Sequence, residues 1–453
     1  MLFTLELQHQ KCSVCFQTKI MKFDALGGSR MKTIQRSLVS LSVLFACNSL
    51  AAGFQVAEHS ASGLGRSFSG EGAVADNASV LARNPAAMTL FDTAQFSGAV
   101  SIVDPEVNVT QNDVPGSGGQ SQSSDDVAPL QIVPAAYYIS PINYKWAWGI
   151  GMFTNYGVAT DYPDDIFAGD LAGDTALVSV NLNPNIAYRV SEQISIGGGV
   201  NIVYAHAELN RHEGAISNVT GNPASKKLIQ MTGETFAYGW NIGGLYELNE
   251  NNRFSIAYRS EVDLDFDDGE FTDYTGGIVQ GSATKTTGRL QITLPSIIEI
   301  SAFHQLNDQW AVHYGWQQTH WSSFKELEAT SPDCTSDGVA GQCFQKSEKY
   351  DDNNRYSLGA TYTLNQQWTL RAGFAYDEQA GEATLSIPDS DRYWYSAGLT
   401  YTINPDLTLD AGFAIVQSKE GDFTETNKLG QDLSFSAEGT AYLSAVQLNY
   451  TFN

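Results

Sequence analysis

Phe254-Ser255-Ile256-Ala257-Tyr258-Arg259-Ser260-Glu261-Val262-Asp263-Leu264-Asp265-Phe266 carries the reading of the fold. Phe254, Ile256, Tyr258, Val262, Leu264 and Phe266 interleave with Ser255, Ala257, Arg259, Glu261, Asp263 and Asp265. That period of two is the mark of a β-strand with one apolar face. Trp310, Val312, Tyr314 and Trp316 repeat it, as do Trp368, Leu370, Ala372, Phe374 and Tyr376, and finally Val446, Leu448, Tyr450 and Phe452. One face is apolar with aromatic residues at the strand ends, and the other is polar or small.

The connections fix how such strands assemble. Brief turns at Pro141–Lys145, Val190–Gln193, Asn249–Asn252, Asn307–Gln309, Asn365–Gln367 and Asn404–Asp406 alternate with long stretches around 104–128, 160–175, 212–233, 267–286, 326–352, 379–390 and 418–437. Six short and seven long connections join fourteen strands. A soluble sandwich has no reason to sort its loops by side, whereas an outer-membrane barrel does. The reading is an all-β, 14-stranded antiparallel transmembrane β-barrel. In hydrocarbon every backbone N–H and C=O must be paired, and without helices only a closed sheet achieves this. Both ends of the barrel fall on the short-turn side, the periplasmic one, so the acidic long loops face outward.

Composition agrees. The 453 residues carry 25 basic and 50 acidic side chains, yet only 17% are charged and 11% are aromatic. This is neither a disordered acidic tail nor a nucleic-acid-binding surface. From Met31, a basic head, an apolar run from Leu38 to Cys47 and Ser49-Leu50-Ala51 read as a signal peptide over 31–51. Residues 1–30 read as a non-native upstream extension, with Met31 the true start. Cleavage after Ala51 leaves Cys334 and Cys343, expected to form a disulfide in an exported chain.

Residues 52–93 do not alternate and are rich in Ser, Gly and Ala. They are expected to fill the lumen as a hatch, with a short helix from Asp76 to Ala82 stopped at Asn84-Pro85, and 94–453 to form the barrel. Ala52-Gly53-Phe54-Gln55, Ser62-Gly63-Leu64-Gly65-Arg66, Ser69-Gly70-Glu71-Gly72-Ala73 and Arg83-Asn84-Pro85-Ala86 closely resemble the N-terminal hatch of the FadL family of outer-membrane long-chain fatty acid transporters. The resemblance continues through Asn155-Tyr156-Gly157, Phe344-Gln345-Lys346 and Ser386-Ile387-Pro388-Asp389. It implies a barrel closed by its hatch, ligand held inside, gating by Asn84, Pro85 and Ala86, lateral release at a strand-3 kink (Asn155, Tyr156, Gly157), and Phe54 reaching the internal site.

The fifth strand offers a ligand path on its own terms. Ser195, Gly197, Gly199 and Asn201 face inward by alternation, and the same face continues as Val203, Ala205, Ala207 and Leu209 to Arg211. An apolar row ending in a cation suits a fatty acid tail and its carboxylate. The resemblance places a head-group Arg at Arg211 and a second basic residue at Lys346.

The expected partners are long-chain fatty acids or other hydrophobic small molecules, with outer-membrane lipids and lipopolysaccharide around a monomer; no nucleic acid, cofactor or metal is expected. Aromatic hydrocarbons are the alternative cargo, and a surface adhesin or phage receptor barrel the alternative role. The histidines show no HExxH spacing and no Ser sits in a nucleophile elbow, so no enzyme is read here.

Overall fold

A computed structural model describes residues 53–281 and 284–452; the segments 1–30 and 31–51 lie outside them. Fourteen strands follow in order: β1 Gln95–Gln111, β2 Gln131–Pro141, β3 Trp146–Phe153 resuming as Gly157–Thr160, β4 Thr175–Arg189, β5 Ile194–His212, β6 Lys227–Asn249, β7 Asn252–Arg259 resuming as Val262–Asp273, and β8 Lys285–Leu294 resuming as Ile297–Gln305. Then come β9 Trp310–Thr319 resuming as Glu326–Ser336, β10 Val339–Ser347 resuming as Asn353–Thr363, β11 Trp368–Asp377, β12 Arg392–Asn404, β13 Leu407–Ser418 and β14 Asp432–Thr451. Each pairs antiparallel with the next. β14 returns to β1 from Gln95↔Thr451 to Gln111↔Phe435, which closes the barrel and leaves no edge.

The short turns explain themselves locally. In Asn143-Tyr144-Lys145-Trp146 the Asn143 carboxamide oxygen accepts from the N–H groups of Lys145 and Trp146 at 2.9 and 3.1 Å. Asn307 does the same for Gln309 and Trp310, and Asn365 for Gln367 and Trp368. Each Asn therefore folds its own turn and delivers a Trp to the outer face. Trp146 meets Tyr188, Trp310 meets Tyr362 and Trp368 meets Tyr401, with centroids 4.5, 4.6 and 4.7 Å apart. Aromatic belts of this kind sit where hydrocarbon meets water. Above them Ile256, Leu358 and Tyr238 stand 56, 59 and 70% exposed, an apolar outer band that water would not tolerate on a soluble protein.

Two expectations are corrected. The strands are longer than the sequence suggested: β1 runs to Gln111, into the stretch 104–128 read as a connection, and much of 326–352 is paired β9–β10 hairpin. More telling, the apolar residues of the opening stretch do not share one face. Phe254, Ile256 and Tyr258 point outward, but the strand breaks at Ser260-Glu261. Val262, Leu264 and Phe266 are then buried inside, at 5, 0 and 1% exposure. Once the strand rises out of the lipid, its outer face must be polar (Asp263, Asp265), and its apolar face is free to line the interior.

The N-terminal segment packs on the inward faces of the strands. Its expected helix is a 3-10 turn, Ala78–Ala82, capped by Asn77. Asn84-Pro85 does not only stop it. Asn84 caps the next turn, Pro85–Leu90, through a 3.1 Å bond from Ala86 N–H. Its Nδ2 donates to the carbonyls of Gly72 and Gly244 at 2.9 and 3.2 Å. Gly243 on β6 makes room for it: a Cβ there would collide with the Asn84 carboxamide. Buried ion pairs tie the segment down, Arg66 to Glu71 and Asp76 at 2.6 and 2.8 Å, and Asp76 on to Arg371 of β11 at 3.0 Å.

Candidate functional site

The inversion of β7 recurs in its neighbours, and together they enclose a cavity. Leu290, Ile292 and Leu294 of β8 precede the break at Pro295, and Leu327 and Ala329 of β9 follow a turn at Trp321–Ser323. The resulting space, about 840 Å³ including its mouth, is walled by Leu209, Met231, Phe266, Phe271, Ile292 and Leu327 among others. It lies on the long-connection side of the barrel.

Phe54 enters this lining from the N-terminal segment and is held by both backbone and ring. β3 is broken between Phe153 and Gly157, and the N-terminal chain pairs with the break. Val56 N–H donates to Asn155 C=O at 2.7 Å, and Gly157 N–H to Phe54 C=O at 2.9 Å. The Phe54 ring stands edge-on to Trp321, Phe324 and Tyr156, with centroids 4.6, 5.3 and 6.1 Å away. Before it, Gly53 adopts φ +62°, and a Cβ there would strike the Trp321 ring, so only glycine fits. Gly53 N–H donates to Asp389 at 3.0 Å, and Asp389 is paired with Arg392 at 2.6 Å. Tyr156 Oη donates to Pro295 C=O at 2.6 Å, which joins the break in β3 to that in β8.

The cavity has a cationic corner. Ser386 lines it, and two bases that do not themselves line it reach the Ser386 hydroxyl, Arg211 at 2.8 Å and Lys346 at 3.2 Å. Arg211 is 1% exposed and also donates to Asn210 C=O at 2.7 Å and Thr175 Oγ1 at 3.2 Å. Among the described residues it forms no ion pair. Lys346 is paired, with Glu425 at 3.1 Å and more loosely with Glu348 at 3.9 Å. Glu348 lies in the connection between the two halves of β10, on the long-connection side of Tyr356. Neither of its buried oxygens accepts a hydrogen bond, and burial pushes its carboxyl above the usual range, with Lys346 pulling the other way. A buried guanidinium whose acids Glu425, Glu348 and Asp174 act on it only from beyond ion-pair distance is a costly arrangement that an incoming anion would relieve.

The structure thus places the sequence-derived residues unequally. Phe54, Ala207 and Leu209 line the cavity, Arg211 and Lys346 converge behind Ser386, and Cys343, which is disulfide-bonded to Cys334, is part of the wall. Val203 does not reach the cavity: it lines a small cleft below, beside Asn155, Tyr156 and Arg259. Alternation gave its face correctly but not its height. Ser386, Phe324 and the acids Glu425 and Glu348 were not expected at the site. Ser386, Phe324 and Glu348 come from connections whose sequence has no period to read, and Glu425 from a short strand, Gly421–Thr426, inside a connection. Asn84, Pro85 and Ala86 lie away from the cavity, against β5 and β6, where a Cβ on Gly197 would meet the Pro85–Ala86 peptide.

Residues 42–452 match the family model described as outer membrane protein transport protein (OMPP1/FadL/TodX). The chain is 37% identical to a long-chain fatty acid transport protein of Escherichia coli, over 94% of this chain and 100% of that protein. It is likewise 37% identical to outer membrane protein P1 of Haemophilus influenzae, over 93% of this chain and all of that one. Among solved structures, a Pseudomonas aeruginosa FadL homologue superposes with a TM-score of 0.75 at 21% identity, covering 89% of this chain and 100% of that one. The Pseudomonas putida toluene transporter TodX superposes at 0.61 with 16% identity, covering 90% and 100%.

Proposed function

Because this chain belongs to the OMPP1/FadL/TodX family of outer membrane transport proteins, we propose that it takes up long-chain fatty acids through the bacterial outer membrane. The observation that carries this reading is the pairing of an apolar cavity with Arg211, a buried cation that forms no direct ion pair among the described residues, at the Ser386 corner. The alkyl tail fills the cavity, at roughly 0.8 kcal/mol for each methylene buried. The carboxylate is met by Arg211, Ser386 and Lys346, with Glu425 giving way as the present partner of Lys346.

Transport is diffusion down a gradient of affinity, without covalent chemistry. The N-terminal segment acts as the hatch, and Phe54 as the part of it that senses the cavity. Release is sideways at the break in β3, whose backbone the Phe54–Val56 stretch now satisfies; withdrawing that stretch would unseal the wall. The protein works as a monomer among outer-membrane lipids and lipopolysaccharide.

Aromatic hydrocarbons are a second cargo, favoured by the apolar lining and by fold neighbours described as toluene transporters. They leave Arg211 without a task, so the acid is preferred. A phage or adhesin role for the acidic loops is compatible with either. The test is uptake of a ligand panel by cells lacking their own transporter: long-chain acids should enter faster than toluene-like compounds, and equal rates would favour the hydrocarbon reading.

A further inference from the structure

The wall of the barrel has a second opening, away from β3. Between β8 and β9 the ladder pairs Arg289 with Thr330 and Leu290 with Ala329, and then lapses. It resumes where His320 N–H donates to Ser296 C=O at 2.9 Å and Ile297 pairs with Thr319. In between, β9 carries the longer segment, 321–328, against 291–295 in β8. Pro295 supplies no N–H to the ladder. On the other side the 3-10 turn at Trp321–Ser323 carries Trp321 and Phe324 inward, to 0 and 3% exposure.

A gap of unpaired peptides would be prohibitive in hydrocarbon. Here it lies among exposed polar side chains. Outward from it stand Gln291, Lys325 and Glu326, all exposed, at a level where neighbouring β7 already shows Asp263 and Asp265 to the outside. The outer side of the gap is a polar depression of about 850 Å³, lined by Arg289, Gln291, Thr293, Ser323, Phe324 and Lys325 among others. Its inner side is the apolar cavity. Arg289 and Phe324 line both spaces, so the Phe324 ring is what stands between the outside water and the apolar interior.

We propose that this gap is a side entrance, through which a single-chain amphiphile passes tail first between β8 and β9, just above the lipid, by displacing Phe324. The polar rim keeps the head hydrated while the tail exchanges water for the cavity wall. Phe324 also touches Phe54, at 5.3 Å between centroids, so an entering tail presses first on the residue that anchors the N-terminal segment. The proposal rests on the transport reading above and adds the route of entry.

The test uses the full-length protein in the outer membrane, with Gln291→Cys carrying a bulky maleimide. Cys334 and Cys343 are bonded to each other and do not react, and the same label applied to the protein without an added cysteine subtracts any reaction at Cys12, Cys15 or Cys47. Ser121→Cys, exposed in another connection, carries the same label as a control. Labelling Gln291→Cys should slow uptake of radiolabelled oleate by about fivefold or more relative to the unlabelled variant, as expected when an approach route is obstructed. The equilibrium affinity of the purified labelled protein for oleate should stay within about twofold of the unlabelled one, since access rather than the site is altered. Should Gln291→Cys fail to assemble, Thr293→Cys takes its place. Uptake unchanged by the label, or slowed equally by the label at Ser121→Cys, overturns the side entrance while leaving the transport reading standing. Oleate that does not enter through the unmodified protein overturns both.

Discussion

Arg211 of β5 and Ser386 of a distant connection are 2.8 Å apart, guanidinium to hydroxyl. They lie 175 positions apart in the chain, and their meeting sets a buried cation behind one corner of an apolar cavity. A charge-assisted hydrogen bond of this kind is worth about 1.5–3 kcal/mol when its partner is a carboxylate.

Arg211→Ala should therefore weaken binding of oleate by roughly ten- to a hundredfold, the same energy expressed as affinity. Apolar ligands without a head group should bind as before. Titrating the purified variant with both ligand types checks this, and equal losses would remove Arg211 from the head-group role.

Glu425 holds Lys346 at 3.1 Å and would compete there with the carboxylate of the proposed ligand. Glu425→Gln removes the competitor's charge at constant shape. We expect oleate affinity to rise by about two- to fivefold, in keeping with a partly screened pair near the protein surface. Lys346→Met should lower it. A fall in affinity for Glu425→Gln would show that the acid positions the site rather than occupies it.

Asn84 satisfies one N–H and two carbonyls of buried backbone. Asn84→Ala should cost about 1 kcal/mol for the lost cap, confined to the N-terminal segment. The barrel should still assemble, seen as a shift in gel mobility on heating, while oleate uptake falls. Normal uptake would count against a gating role for this residue.

The Cys334–Cys343 bond ties the outer β9–β10 hairpin, which also carries Lys346. Replacing both cysteines with serine should destabilise that hairpin by roughly 2–3 kcal/mol, the loop-closure value for so short a ring. Proteolysis of the hairpin in whole cells should become faster, with the rest of the barrel intact.

Phe54→Ala should loosen the N-terminal segment at its most apolar anchor, a ring packed on Trp321 and Phe324. Truncating a buried Phe costs about 3–5 kcal/mol. Hydrogen exchange at Val56 and Gly157, whose amides seal the break in β3, should accelerate well beyond that of the β1–β14 ladder.

What the sequence determined by itself is local and periodic. Alternation identified the strands and the connections gave fourteen of them. The three Asn-x-x-Trp turns could be read because each is completed within four residues. What only the tertiary structure decided is the environment each face meets. Phe254 to Phe266 alternates throughout, yet its first half looks into lipid and its second half into a cavity, because a break at Ser260-Glu261 coincides with the height at which the strand leaves the membrane. Period two says which side chains share a face within an unbroken strand. It is silent on height, so it could not tell that Val203 lines the small cleft rather than the cavity, and on convergence, so it left Ser386 and Phe324 unmarked. Lipid, water and an internal cavity select residues by polarity, and two of these three reward the same apolar side chain; only closure of the barrel distinguishes them.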